Sequence, residues 1–137
     1  MIKKFELDLS TKITVFGVEL FRIKALISFG NVKKGEFGGY VEKEENLNHS
    51  GNAWVYGNAR VYGDAEVSKL NDYIVFKNNW SSGRYFTYTL SNKMWKVGCF
   101  YGSGEELVKK AYQDSGDSGK HYEAYVNLVK TLEEFDN

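Results

Sequence analysis

Between Gly51 and Ser68 the chain repeats itself three times, as Gly51-Asn52-Ala53-Trp54-Val55-Tyr56, Gly57-Asn58-Ala59-Arg60-Val61-Tyr62 and Gly63-Asp64-Ala65-Glu66-Val67-Ser68. Gly, Asn or Asp, Ala and Val recur in register. The spacing matches neither the 3.6-residue period of a helix nor the simple alternation of a hairpin. A period of six belongs to a β-helix, in which successive repeats form successive walls and coils stack on one another. The positional chemistry agrees. Ala53, Ala59 and Ala65 suit a tight interior corner, and Val55, Val61 and Val67 suit the rest of the interior. Gly57 and Gly63, with Asn58 and Asp64 beside them, suit turns that need unusual backbone angles.

The repeat extends backward in degraded form. Steps of six from Ala53 reach Leu47 and Val41, and steps from Val55 reach His49, Lys43 and Phe37. A coil of three hexapeptides would then stack Phe37 under Val55, Val41 under Ala59 and Leu47 under Ala65. Lys43 and His49 break the pattern, because neither belongs unpaired in a dry interior. Upstream, Phe5, Leu7 and Leu9 alternate with Lys4, Glu6 and Asp8, which predicts a half-buried strand. Ser10-Thr11-Lys12 and Gly17 punctuate two further strands, Ile13–Phe16 and Val18–Ile27, so the N-terminus reads as a meander.

Downstream of Asn71, three strands are expected over Tyr73–Lys77, Arg84–Leu90 and Met94–Phe100, joined by Asn- and Ser-rich turns. Ser103 followed by Glu106 is a capping box ahead of Leu107, Val108, Ala111 and Tyr112, and Gly116 ends that helix. A second helix is expected from Ser118 to Phe135, with Tyr122, Tyr125, Val126, Leu128, Val129 and Leu132 at helical spacing. Residues 1–101 carry 14 Lys/Arg and 10 Asp/Glu, and residues 102–137 carry 4 and 8. This +4 body and −4 tail predict that the tail docks on the body. The domain expectation is 1–71 for meander plus repeat and 72–137 for an α+β module, packed as one unit.

Leu20–Leu26, then Gly35-Glu36-Phe37-Gly38-Gly39-Tyr40-Val41, then the Gly-Asn-Ala-x-Val-x hexapeptides resemble a group of phage and prophage proteins. In that group a similar Gly-Gly-Tyr-Val opening leads into a longer left-handed β-helix. Gly98-Cys99-Phe100-Tyr101-Gly102 looks like their C-terminal module. The resemblance implies phage origin and a β-helix, and no reaction. The expected fold class is therefore mainly β with an α+β tail: a meander, a left-handed β-helix of about two coils, then a three-stranded antiparallel sheet with two C-terminal helices.

The chemistry points away from catalysis. Eighteen Lys and Arg balance eighteen Asp and Glu, which argues against a strongly basic nucleic-acid binder and against an acidic DNA mimic. No direct sequence-specific nucleic-acid binding is expected. Apolar runs are short, so no membrane span and no membrane partner are expected. The start Met1-Ile2-Lys3-Lys4-Phe5 has no apolar h-region of a signal peptide. The single Cys, Cys99, excludes an internal disulfide framework and fits a reducing compartment. A three-histidine zinc site is excluded because only His49 and His121 are present. An acyltransferase would use His49 as base, but two coils offer little groove for a cofactor arm. Cys99 lies between Trp95, Val97 and Phe100 and reads as a packed, inert thiol. No metal, no cofactor and no catalytic residue is assigned.

The aromatic residues carry the remaining signal. Trp54, Tyr56 and Tyr62 alternate with the inward Ala and Val positions and should face outward, while Trp80, Arg84, Tyr85 and Tyr88 gather near a hairpin tip. Exposed Trp, Tyr and Arg dominate binding hot spots. The functional expectation is a phage-encoded, non-enzymatic binding protein in the cytoplasm of a bacterial host. It would inhibit a defence system such as a CRISPR effector by contact with a host protein or ribonucleoprotein. The alternative is a structural module that oligomerises, for instance as a homodimer, through the open end of its β-helix. An acyltransferase-like enzyme comes third.

Overall fold

The computed structural model describes residues 2–15, 17–69 and 72–135. Phe16, at the end of an expected strand, and Asn71, at the expected domain boundary, lie outside the described residues. Two open four-stranded sheets and two helices make up the fold. Sheet one orders β1 (Phe5–Val15), β2 (Val18–Ala25), β3 (Phe37–Val41) and β4 (Arg60–Val61) side by side. Sheet two orders β5 (Tyr73–Lys77), β6 (Tyr85–Thr89), β7 (Met94–Val97) and β8 (Phe100–Gly102), antiparallel throughout. Helices α1 (Gly104–Asp114) and α2 (Gly116–Glu134) complete the chain.

The β-helix is not formed, and this corrects the fold class expected from the repeat. The hexapeptide segment contributes one two-residue strand, β4, and otherwise runs through turns. It makes a single parallel rung, with Tyr40 opposite Arg60, Val41 opposite Val61, and an isolated bridge from Leu47 to Val67. The physical reason lies in the neighbours. The other edge of β3 is taken by antiparallel β2, and the hexapeptides meet sheet two through Tyr73, Thr87 and Tyr101, so no further coil stacks. Without a shaft there is no open β-helix end for an oligomerising module to use.

The rung is also offset from the expected register by two residues. Val41 stacks with Val61 instead of Ala59, and Leu47 with Val67 instead of Ala65. The offset is set by Asn46, which follows the short turn at Glu44 and is fully buried. Its amide donates to the carbonyls of Gly63 (3.1 Å) and Ala65 (2.7 Å) and accepts from the N–H groups of Glu42 and Lys43. The inward assignment of the repeat side chains nevertheless describes the packing: Ala53, Val55, Ala59, Val61, Ala65 and Val67 are all buried in one core with Phe5, Ile23, Val41 and Leu47. Gly38 and Gly39 enter this core edge-on. A Cβ on Gly38 would meet the Val55 carbonyl, and one on Gly39 the Ala59 carbonyl. The Gly-Gly pair thus lets β3 lie against the repeat backbone, where Gly39 N–H reaches Val55 O at 2.7 Å.

Two further expectations are adjusted. Met94–Phe100 is not one strand, because Gly98 turns the chain at φ +54 and starts β8. The first strand runs unbroken past Ser10, its register shift between Asp8 and Ile13 absorbed by the Asp8 carboxylate, which accepts from Ser10.

Sheet two is covered on one face by the helices, as expected. Phe86, Tyr88 and Trp95 form a second core with Leu107, Ala111, Tyr122, Val126 and Val129. The capping box at Ser103 is present: Ser103 Oγ accepts from Glu106 N–H, and Glu106 Oε1 accepts from Ser103 N–H. These bonds, the backbone one foremost, hold the Glu106 carboxyl below its ordinary value. A folded-state value below the unfolded one means this support is present at neutral pH and is lost as pH falls through the carboxylate range. Gly116 does not end α1 by itself. Ser115, fully extended at φ −169, separates the helices and caps α2 through its hydroxyl. The acidic tail docks through Glu133, which accepts from Tyr88 Oη and pairs with Lys93 at 2.7 Å.

Candidate functional site

Alternation along the repeat fixes which way each aromatic points, and the second layer decides whether it sees water. Trp54 is fully buried in the same core as the repeat's Ala and Val residues, its indole edge-on to Phe29 at 5.3 Å. Tyr62 is buried against Tyr101, with the Lys96 ammonium 4.4 Å from its ring centre. Burial pushes the Tyr62 phenol up to about 12, against the opposing pull of the Arg60 charge. Only Tyr56 of the three is open, at 45% exposure. Trp54 and Tyr62 are therefore corrected from outward-facing anchors to interior residues.

The hairpin tip divides in the same way. Asn78 closes the loop by accepting from Ser81 N–H and by donating its amide to Tyr122 Oη. This pulls Trp80 onto α2, where it stacks on His121 at 4.3 Å and meets Tyr122 and Tyr125. Tyr88 is buried on the helix-facing side of sheet two, its hydroxyl bound to Glu133 and its phenol held well above the ordinary value by burial. Tyr88 is thus part of the second core, and Trp80 packs half-buried against it. Arg84 and Tyr85 remain exposed, adjacent at the start of β6.

Arg84 and Tyr85 border an open cleft of about 480 Å³ between the two halves of the fold, with Val15, Asn58, Arg60 and Gly98. Tyr56 lies two residues before Asn58 on the same segment. The structure brings together part of the expected set, Arg84 and Tyr85, and adds Asn58 and Arg60, while Tyr56 is not among the lining residues. Sequence reasoning missed Arg60, which occupies the position of Trp54 one hexapeptide on. The signal was there: it is the repeat's only cation at an outward position.

The histidines are both engaged. His49 stacks on Phe5 at 4.3 Å, its Nδ1 accepts from Lys4 N–H, and its Nε2 meets Glu44 at 2.7 Å. His121 lies under Trp80 with Nδ1 near the Asp117 carbonyl. No group of three or more His, Cys, Asp or Glu among the described residues is placed to hold a metal ion. No helix among them is long and apolar enough to cross a membrane. Cys99 is exposed in the turn between β7 and β8 and is not a packed thiol. The strand pattern misled because Gly98 breaks it. We expect Cys99 to label rapidly with a thiol reagent in the native protein at neutral pH. Labelling only after denaturation would contradict this placement.

No protein-family model matches the chain, and no curated protein matches it.

Proposed function

We propose that this is a non-enzymatic, phage-encoded binding protein that inhibits a bacterial defence system, such as a CRISPR effector, by contact with a host protein or ribonucleoprotein in the bacterial cytoplasm. The observation that carries the reading is the pair Arg84 and Tyr85, adjacent and exposed where the chain enters β6, whose other face is locked to two helices. Arg and Tyr presented on a rigid element are the chemistry of hot spots, because little side-chain or backbone freedom remains to be lost on binding. Arg60 extends the same surface across the cleft. The resemblance of Gly38-Gly39-Tyr40-Val41 and the hexapeptides to phage proteins supports the source. The engagement of both histidines in stacking and hydrogen bonds is consistent with a contact role.

The test is interference by a CRISPR effector against a targeted phage, in cells with and without this protein. The expected result is restored plaque formation with the wild-type chain and with folded His121→Ala, and loss of that protection with Arg84→Ala. Full protection by Arg84→Ala, or interference unaffected by the wild-type chain across effector types, contradicts the reading.

A further inference from the structure

The cleft between the sheets is lined by two arginines that form no ion pair among the described residues. Arg60 and Arg84 both line it, together with Val15, Asn58, Tyr85 and Gly98, and no carboxylate is among the lining residues. Ion pairs among the described residues use Lys3, Lys12, Lys93, Lys110, Lys130 and the two histidines, and neither arginine. Glu42 Oε1 accepts from Gly63 N–H and Asp64 Oδ1 from the Asn92 amide, while the other side of Arg84 borders a second pocket that includes Asp114. Behind Arg60, Lys96 is 6% exposed and rests on the Tyr62 ring without an ion pair. Burial foremost lowers its pKa, with Cys99 opposing and the Arg60 charge adding to the shift. Of these three cations only Lys96 is buried; Arg60 is half-buried and Arg84 is exposed, so the two guanidiniums are open to an anion from solvent.

The cleft is also shaped around one of these cations. Gly98 holds φ +54, and a Cβ there would fall on the Arg84 guanidinium. Glycine at this position lets the guanidinium lie flat against the β7–β8 turn and fixes where its donors point.

We propose that the cleft binds a phosphomonoester of nucleotide size, with Arg60 and Arg84 gripping the phosphate. Two guanidiniums present two charges and only donors, which suits a dianion with three terminal oxygens better than a monoanionic carboxylate with two. The Asn58 amide and the Tyr85 hydroxyl supply further polar groups at the rim. The volume exceeds what a phosphate alone needs and falls in the range of small-molecule sites. The Tyr85 ring, 46% exposed, offers a face on which a base can stack. The assignment stands on the cleft itself and does not require the protein-contact reading.

The experiment is calorimetric titration of the full chain with AMP, inorganic phosphate, adenosine and a short single-stranded oligonucleotide. AMP is expected to bind, inorganic phosphate to compete with it more weakly, and adenosine to bind roughly tenfold or more worse than AMP. Arg60→Ala and Arg84→Ala, each shown to be folded, should each weaken AMP by roughly tenfold or more. Arg60→Lys should recover part of the loss, and Lys34→Ala, on the far loop, should change nothing. Absence of heat with both AMP and phosphate overturns the assignment, as does AMP binding that survives both arginine substitutions. Tighter binding of the oligonucleotide than of AMP also overturns it, because the cleft would then track a polymer backbone.

Discussion

Trp54→Ala is expected to lower the melting temperature by roughly 10–15 °C, corresponding to a loss of about 3–5 kcal/mol. The residue is fully buried, so truncation removes a whole indole from the first core and leaves a cavity. Collapse around that cavity is resisted on both sides. Phe29 meets the indole edge-on, and β3 approaches it through Gly38, whose position admits no side chain. The Trp54 carbonyl also accepts from Tyr73 Oη at 3.0 Å, and that hydroxyl accepts from Tyr56 N–H at 2.8 Å. Displacement of the segment would therefore disturb the joint between the hexapeptides and sheet two. Tyr56→Ala, in the same repeat position class but 45% exposed, should cost about 1 kcal/mol or less. Thermal melts of the two variants check the contrast, and equal losses would contradict the two-layer packing.

Asn46→Ala should cost about 3 kcal/mol, and Asn46→Asp at least as much. Alanine removes the side-chain partner of the Gly63 and Ala65 carbonyls and of the Lys43 N–H, while Glu42 N–H keeps its bond to the Val61 carbonyl at 3.1 Å. Aspartate keeps the shape and keeps the two acceptors, but it replaces the donating amide with a carboxylate facing two carbonyl oxygens. A steric role alone would make aspartate the milder change. Urea denaturation of both variants separates the alternatives, since a near-neutral Asn46→Asp would remove Asn46 from its place as the plug of the rung.

Much of this fold was legible. The first two strands of sheet two, the capping box at Ser103 and the apolar stripe of α2 follow from local spacing, whereas the split of Met94–Phe100 at Gly98 into β7 and β8 was missed. The inward Ala and Val positions were equally readable, because alternation depends only on the pleat. The β-helix was not a valid extrapolation from them. Six-residue spacing says that successive segments are equivalent, but a coil needs another coil on its open edge, and here β2 and sheet two occupy the available sides of the segment. The same long-range layering explains the aromatics. Trp54 meets Phe29 and Tyr62 meets Tyr101, contacts separated by tens of residues in sequence that no local pattern encodes. Trp80 looked exposed because its loop is polar, yet Asn78 ties that loop to Tyr122 on α2. Arg84 and Tyr85 stay open because the cleft beside them is bounded by a turn at Gly98 and by Asn58, and neither reaches over them.

The central claim is that partner contact is carried by the open Arg84–Tyr85 surface and not by the aromatics the fold has buried. The measurement is the affinity of the purified protein for its captured effector, compared across Arg84→Ala, Tyr85→Ala and Leu128→Ala, each first shown to be folded. Leu128 is 44% exposed on α2 and serves as an exposed apolar residue away from the cleft. Arg84→Ala is predicted to weaken binding by about 2 kcal/mol or more, roughly 30-fold, with Tyr85→Ala also weakened and Leu128→Ala unchanged. Unchanged affinity in both Arg84→Ala and Tyr85→Ala, with loss in Leu128→Ala, would place the contact on the helical face and contradict the account.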